Sequence, residues 1–169
     1  TVFKVLKKAY LRFEPDFDFK RFESNNKWLD NYALFMALKD AHGGRAWEEW
    51  EKPIRNYEKA AVKEAKEKYK ADIGFYKFVQ FEYFKQWFKF KEYVNSLGIK
   101  IIGDIPIYVA YDSADVWADP EYFLLDEDKR PIDVAGCPPD VFAAKGQLWG
   151  NPLYRWDVMK QENPMCWRR

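Results

Sequence analysis

The chain has 169 residues, enough to bury a sizeable core as one domain, and Lys plus Arg (28) nearly equals Asp plus Glu (27). That balance leaves no global field to attract nucleic acid or an anionic membrane, so neither is expected as a partner. With no signal-peptide pattern, no apolar run near the roughly eighteen residues of a membrane span, and two cysteines (Cys137 and Cys166) without metal or redox spacing, the sequence reads as a cytoplasmic protein without a structural disulfide.

Aromatic residues make up 20% of the chain, more than one small core uses, which points to stacking surfaces or to faces that await a neighbour. Thr1 to Arg12 is basic and apolar by turns, with a weak helical pattern. From Asp16 to Asp30 an aromatic run (Phe17, Phe19, Phe22, Trp28) leads into YALFMALKDAHGG. There Leu34, Leu38 and Ala41 recur at helical spacing and Gly43 follows as a stop, which predicts a packing helix. His42 is the only histidine, so no Ser/His/Asp, Cys/His or multi-histidine metal scheme is available, and no metal site is expected. Its place near a helix end suits a surface or capping residue.

Trp47, Glu48, Glu49, Trp50 and Pro53 predict an aromatic, acidic turn. Tyr57 to Asn95 is almost free of breakers and predicts one long helix, or two meeting near Gly74. The first half, KAAVKEAKEKYK, alternates charges and reads as a solvated face. In the second half Tyr76, Val79, Tyr83, Trp87, Phe90, Val94 and Leu97 share one sector, while Phe78, Phe81, Phe84 and Phe88 share another. Two apolar sectors predict a helix covered on two sides, its aromatics serving as core rather than as a sugar-binding stripe. Gly98 closes this helix at a position that favours a left-handed backbone.

The apolar run Ile99, Ile101, Ile102 then predicts a buried strand that ends near Pro106 and delivers Asp104 to its C-terminal end. A long helix feeding a buried strand through a glycine turn is an α/β signature, usually of a parallel sheet. DSADVW predicts a short helix capped by Asp112 or Ser113. LLDEDKRPIDV predicts a hairpin turning at Asp126 to Lys129, with Leu124, Ile132 and Val134 on its strands, as a brace for the loop that follows. That loop, GCPPDVFAAKGQLWGNPLY, joins a restricted backbone to Asp140, Phe142, Gln147, Trp149 and Asn151. The mixture describes a neutral polar site with flat apolar walls, which suits a sugar: its hydroxyls need paired donors and acceptors, and its C–H face packs on a ring. Taken alone, Asp104 also fits a helix cap or a core ion pair, and Trp149 simple packing.

The runs YALFMALKD, IKIIGDIPIYVAYDSADVWADPEYFLLDED and AGCPPDVFAAKGQLWGNPLYRWDVM closely resemble 4-alpha-glucanotransferases of the amylomaltase type, and the resemblance extends from about Phe17 to Arg169. It implies part of a TIM-type (β/α)8 barrel with a helical insertion and a loop and hairpin subdomain. Residues 1–169 would be a partial catalytic barrel domain, containing an insertion over 25–74, a barrel helix and strand over 75–112 and an active-site loop subdomain over 113–157. The implied activity moves α-1,4-linked glucan segments to the 4-hydroxyl of an acceptor sugar, in starch and maltose metabolism, without a cofactor and with maltooligosaccharides as partners.

By position, Asp104 is similar to a supporting active-site carboxylate of that family. Asp140, Phe142, Gln147 and Trp149 match substrate contacts, and Asn151 belongs to the same motif. Two positions depart from the pattern: Val141 stands where an aromatic is frequent, and Ala143 where Ser is frequent. The resemblance also implies a retaining double displacement, with the nucleophilic aspartate and acid/base glutamate in motifs that do not occur before Arg169. The 169-residue chain by itself is therefore expected to be inactive. Alternatives are a glucan-binding module or a structural fragment that associates with itself through uncovered barrel surfaces.

Overall fold

The computed structural model describes residues 2–104 and 107–162. In chain order its helices are α1 (Val2–Tyr10), α2 (Phe17–Asn25), α3 (Trp28–Ala41), α4 (Lys52–Arg55), α5 (Lys59–Lys68), α6 (Lys70–Ser96), α7 (Ala114–Ala118) and α8 (Trp156–Glu162). Strands β1 (Val134–Cys137) and β2 (Gln147–Pro152) lie between α7 and α8. The chain divides into two compact units, one of Thr1–Ala41 with Lys63–Ile105, the other of His42–Val62 with Pro106–Arg169.

The first unit is built on α6. Asp16 starts α2 by accepting a hydrogen bond from the Phe19 amide at 2.8 Å, and Phe19 turns its ring inward while Phe17 stays exposed. Phe13 meets Phe78 at 4.8 Å and Phe19 at 5.1 Å, and Phe19 meets Phe81 edge-on at 5.4 Å. Each such pair adds about 0.5–1.5 kcal/mol beyond the area it buries. On the other side, Ala33 and Ala37 of α3 leave room for Phe75, Tyr76 and Phe78, so small residues on one helix admit large ones from the next. Lys77 ties three helices together, its ammonium reaching Glu23 of α2 at 3.0 Å and Asp30 of α3 at 2.5 Å.

The long helical stretch breaks at Tyr69, between α5 and α6, and not at Gly74. A glycine inside a helix costs about 1 kcal/mol but does not end it. Gly74 stays helical within α6, and the position has no room for a side chain because the hydroxyl of Tyr10 occupies the space a β-carbon would need. The two-sided cover expected for this helix holds only for its first half. Phe78 and Phe81 are buried, whereas Tyr83, Phe88 and Phe90 are 56%, 58% and 54% exposed. Gly98 does take a positive φ of 76°. The strand expected after it does not form: Ile99 to Asp104 has no regular structure, with Ile102 94% exposed. A strand needs a neighbouring ladder for its amides and carbonyls, and the two described strands pair with each other.

The second unit is centred on tryptophans. Trp47 and Trp117 are buried, and both indoles find backbone acceptors, Tyr111 at 2.8 Å and Ile54 at 2.9 Å. His42 stacks on Trp50 at 5.0 Å and bonds the Glu51 carboxylate at 2.8 Å, so it braces the turn rather than capping a helix. Of the two candidate caps for α7 it is Ser113 that accepts from the Val116 amide, while Asp112 accepts from the amide of Trp47. The turn at Asp126 to Lys129 forms, closed by Asp126 to Arg130 at 2.8 Å, and it continues through an isolated bridge, Leu125 to Pro131, and a bond from the Ile132 amide to the Leu124 carbonyl at 3.1 Å, without regular strands. Val134, assigned to that hairpin from the sequence, pairs with Pro152 instead.

Candidate functional site

The loop singled out in the sequence is an antiparallel hairpin, with Gly136 opposite Leu148 and Cys137 opposite Gln147. Gly146 makes its turn workable: φ is +71°, and a β-carbon there would lie 2.5 Å from the Cys137 carbonyl oxygen. The connecting segment is held from within by Asp140, whose Oδ1 accepts from the amides of Phe142 and Ala143 at 2.9 and 2.7 Å. Phe142 projects beyond this turn, 93% exposed.

On β2, residues two apart share a face. Gln147 and Trp149 do so, and the indole N–H of Trp149 donates to Gln147 Oε1 at 3.0 Å. The bond sets both partners. An indole offers one donor and no acceptor, so the amide turns its oxygen toward the ring and leaves its NH2 donors facing outward. Behind them Tyr108 approaches Trp149 at 6.2 Å and stacks on Tyr154 at 6.0 Å with planes 13° apart. Asn151 anchors the hairpin, its Nδ2 donating to the Val109 carbonyl at 2.8 Å. The segment that carries Tyr108 and Val109 is fixed in turn at Tyr111, whose hydroxyl donates to the Lys129 carbonyl at 2.9 Å. Burial, with Glu48 nearby, pushes that phenol up to about 12.

The six residues singled out thus sort by task. Gln147, Trp149 and Phe142 are offered to solvent, while Asp140 and Asn151 are committed to the hairpin's backbone. Asp104 belongs to the first unit, in the irregular segment after Gly98, and the other five belong to the second. Tyr108 was not among the residues read as site candidates. It lies three residues from Ile105 in the same IPIYVAYD run, and an aromatic just past the proline of that run was the available signal. Among the described residues no cluster of His, Cys, Asp and Glu could hold a metal ion. No helix among them is long and apolar enough to cross a membrane. Chemically, the hairpin presents a flat ring, an oriented amide and a second exposed ring, with no concentration of charge.

In structure the chain is similar to amylomaltase from Streptococcus agalactiae in complex with acarbose, at a TM-score of 0.88 and 43% identity, covering 97% of this chain and 34% of that one. This places it in the class of amylomaltase-like folds. The 4-alpha-glucanotransferase family model matches residues 2–169, and the chain belongs to that family. Relatives include the 4-alpha-glucanotransferases of Thermus thermophilus, 54% identical over 142 residues (84% of this chain, 28% of the relative), and of Clostridium butyricum, 46% identical over 168 residues (97% and 34%). The chain spans about a third of the length of the relatives it matches.

Proposed function

We propose that this chain is the substrate-holding part of a retaining 4-alpha-glucanotransferase that disproportionates maltooligosaccharides. Family membership over residues 2–169 carries the reading. It is supported by a hairpin whose exposed groups are an indole, a phenyl ring and an oriented amide, the set that a neutral polyol with an apolar face requires. Acarbose on the related amylomaltase agrees in ligand class.

In this reading Trp149 and Phe142 pack on sugar faces and Gln147 donates to a sugar oxygen. Asp140 and Asn151 hold the hairpin in shape, and Asp104 is a supporting carboxylate at the end of a segment, irregular here, that pairs as a barrel strand once the neighbouring strands of the whole protein are present. Residues 25–74 form the insertion, 75–112 the barrel helix and strand, and 113–157 the loop subdomain of a partial (β/α)8 barrel. The nucleophile and the acid/base, which a retaining mechanism sets about 5 Å apart, come from segments outside these 169 residues. A shielding hairpin then favours transfer to a sugar hydroxyl over hydrolysis, by excluding water and holding the acceptor in line.

The test is to incubate the 169-residue chain with maltotriose and to titrate it with longer maltooligosaccharides. Saturable quenching of tryptophan emission without disproportionation is expected. Transfer above background would show that the essential carboxylates are already present, and no binding at all would remove the hairpin's assigned role.

A further inference from the structure

Two tyrosines of the IPIYVAYD run stand three residues apart, and the fold uses them differently. Tyr111 is spent on structure: its hydroxyl donates to the Lys129 carbonyl at 2.9 Å, its own carbonyl accepts from the Trp47 indole at 2.8 Å, and its ring lies 5.1 Å from that of Trp47. Tyr108 sets its ring against two others, 6.2 Å from Trp149 and stacked 6.0 Å from Tyr154, but its hydroxyl has no hydrogen-bond partner among the described residues. That oxygen is not sealed from solvent, so the side chain is half-buried by its ring and open at its polar end.

Packing explains the ring and not the hydroxyl. A phenylalanine would fill the same contacts with Trp149 and Tyr154, whereas a phenol adds a donor and an acceptor that cost desolvation if a ligand covers them without using them. The side chain is also well fixed. The carbonyl of the next residue, Val109, is held by Asn151 at 2.8 Å, and Tyr154 is 7% exposed with its ring 5.3 Å from that of Phe123. A polar group held in place beside a partly exposed indole is pre-organised for a ligand that lies on that indole. Its chemistry complements what the hairpin already offers. The Trp149 N–H is consumed by Gln147, and Gln147 then presents its NH2 donors. A sugar hydroxyl that donates needs an acceptor as well, and the Tyr108 oxygen supplies one beside Trp149.

We propose that Tyr108 is a specificity-determining contact of the hairpin site, its hydroxyl accepting from a ring-edge hydroxyl of the sugar whose C–H face packs on Trp149. The ligand class rests on the functional reading above. To that reading Tyr108 adds a demand: the sugar on Trp149 must keep the hydroxyl that faces the phenol, and an analogue lacking it leaves the phenol covered and unpaired.

The experiment compares the wild-type chain with Tyr108→Phe, which keeps the ring and removes only the oxygen. Each is titrated, by tryptophan emission, with maltotriose and with maltotriose analogues that lack one hydroxyl at a time. The wild-type chain should bind one of these analogues about fivefold more weakly than maltotriose. Tyr108→Phe should bind maltotriose about fivefold more weakly than the wild type does, and should no longer distinguish that analogue from maltotriose. Its urea midpoint and its emission maximum without sugar should match the wild type. Tyr108→Leu removes the ring too and should shift the emission as well as weaken binding. Equal affinity of wild type and Tyr108→Phe for maltotriose would overturn the contact and leave the hairpin's assigned role standing. So would discrimination among the analogues that survives in Tyr108→Phe, or a loss of affinity matched by a lower urea midpoint. No binding of maltotriose by the wild-type chain would remove the functional reading, and this contact with it.

Discussion

Three residues on the hairpin carry different loads, and substitution separates them. Gln147→Glu keeps an acceptor for the Trp149 indole but removes both amide donors. It should weaken maltooligosaccharide binding about tenfold, with little change in the wavelength of tryptophan emission. Gln147→Leu removes the acceptor as well and should shift the emission in addition to weakening binding. Trp149→Ala should cost on the order of tenfold in affinity with a small effect on stability, because its ring is 46% exposed. Asp140→Ala should act elsewhere. Its oxygen holds the amides of Phe142 and Ala143, so those two amides should exchange with solvent faster while the strands keep their protection. This division was only half legible in the sequence. The residue types suited a sugar site, but Asp140 and Asn151 look like ligand groups on paper, and only the hydrogen bonds to Phe142, Ala143 and Val109 show them turned inward.

At the scale of elements the helices were legible and the strands were not, for a physical reason. α3, α6 and the cap at Ser113 follow from local spacing and local hydrogen bonds, which a sequence carries within one or two turns. Ile99 to Ile102 has strand chemistry, yet a strand is a relation between two segments, and its partner is not among the described residues. Gly74 shows the same limit inside a helix. It reads as a break but marks a close approach by Tyr10. Gly74→Ala should destabilise the first unit by about 1 kcal/mol, the difference between a strain of about 2 kcal/mol and a helix-propensity gain of about 1. In a Tyr10→Phe background the obstructing hydroxyl is gone and the nearest ring carbon lies 3.2 Å away, so the cost of the same substitution should shrink, as read from urea midpoints.

Lys77 adds an alkaline limit to this unit. Burial lowers its affinity for a proton, but the hydrogen bonds it donates to Asp30 and Glu23 outweigh that and raise it above the ordinary 10.5. Tyr76, buried and bonded to Asp40, is raised as well. Both groups hold their protons more tightly folded than unfolded. Their contribution to stability is therefore complete at neutral pH and is lost as pH climbs through the raised values. Lys77→Met should flatten the fall in urea midpoint above pH 10, while the wild-type chain loses stability steadily there.

For the molecule as a whole, the question is what the uncovered apolar groups do in water. Tyr83, Phe90, Leu97, Ile99 and Ile102 are each more than half exposed, and all lie in the first unit. A run with strand chemistry and no ladder also presents backbone groups, from Lys100 onward, that a second chain can pair. The apolar groups lie close in sequence, on one helix and the segment after it, which is the pattern of an interface rather than of scattered surface residues. The proposed place of this segment in a barrel fits this, since a barrel strand and a barrel helix bury their faces against neighbours. We therefore expect the isolated 169-residue chain to associate with itself, its mass in sedimentation equilibrium rising with concentration. Ile102→Lys together with Phe90→Lys should return it to a monomer, because 94% and 54% exposed positions accept a charge without loss of the fold. A monodisperse monomer at all concentrations would mean that these faces are tolerated in water, and would count against their role as barrel surfaces.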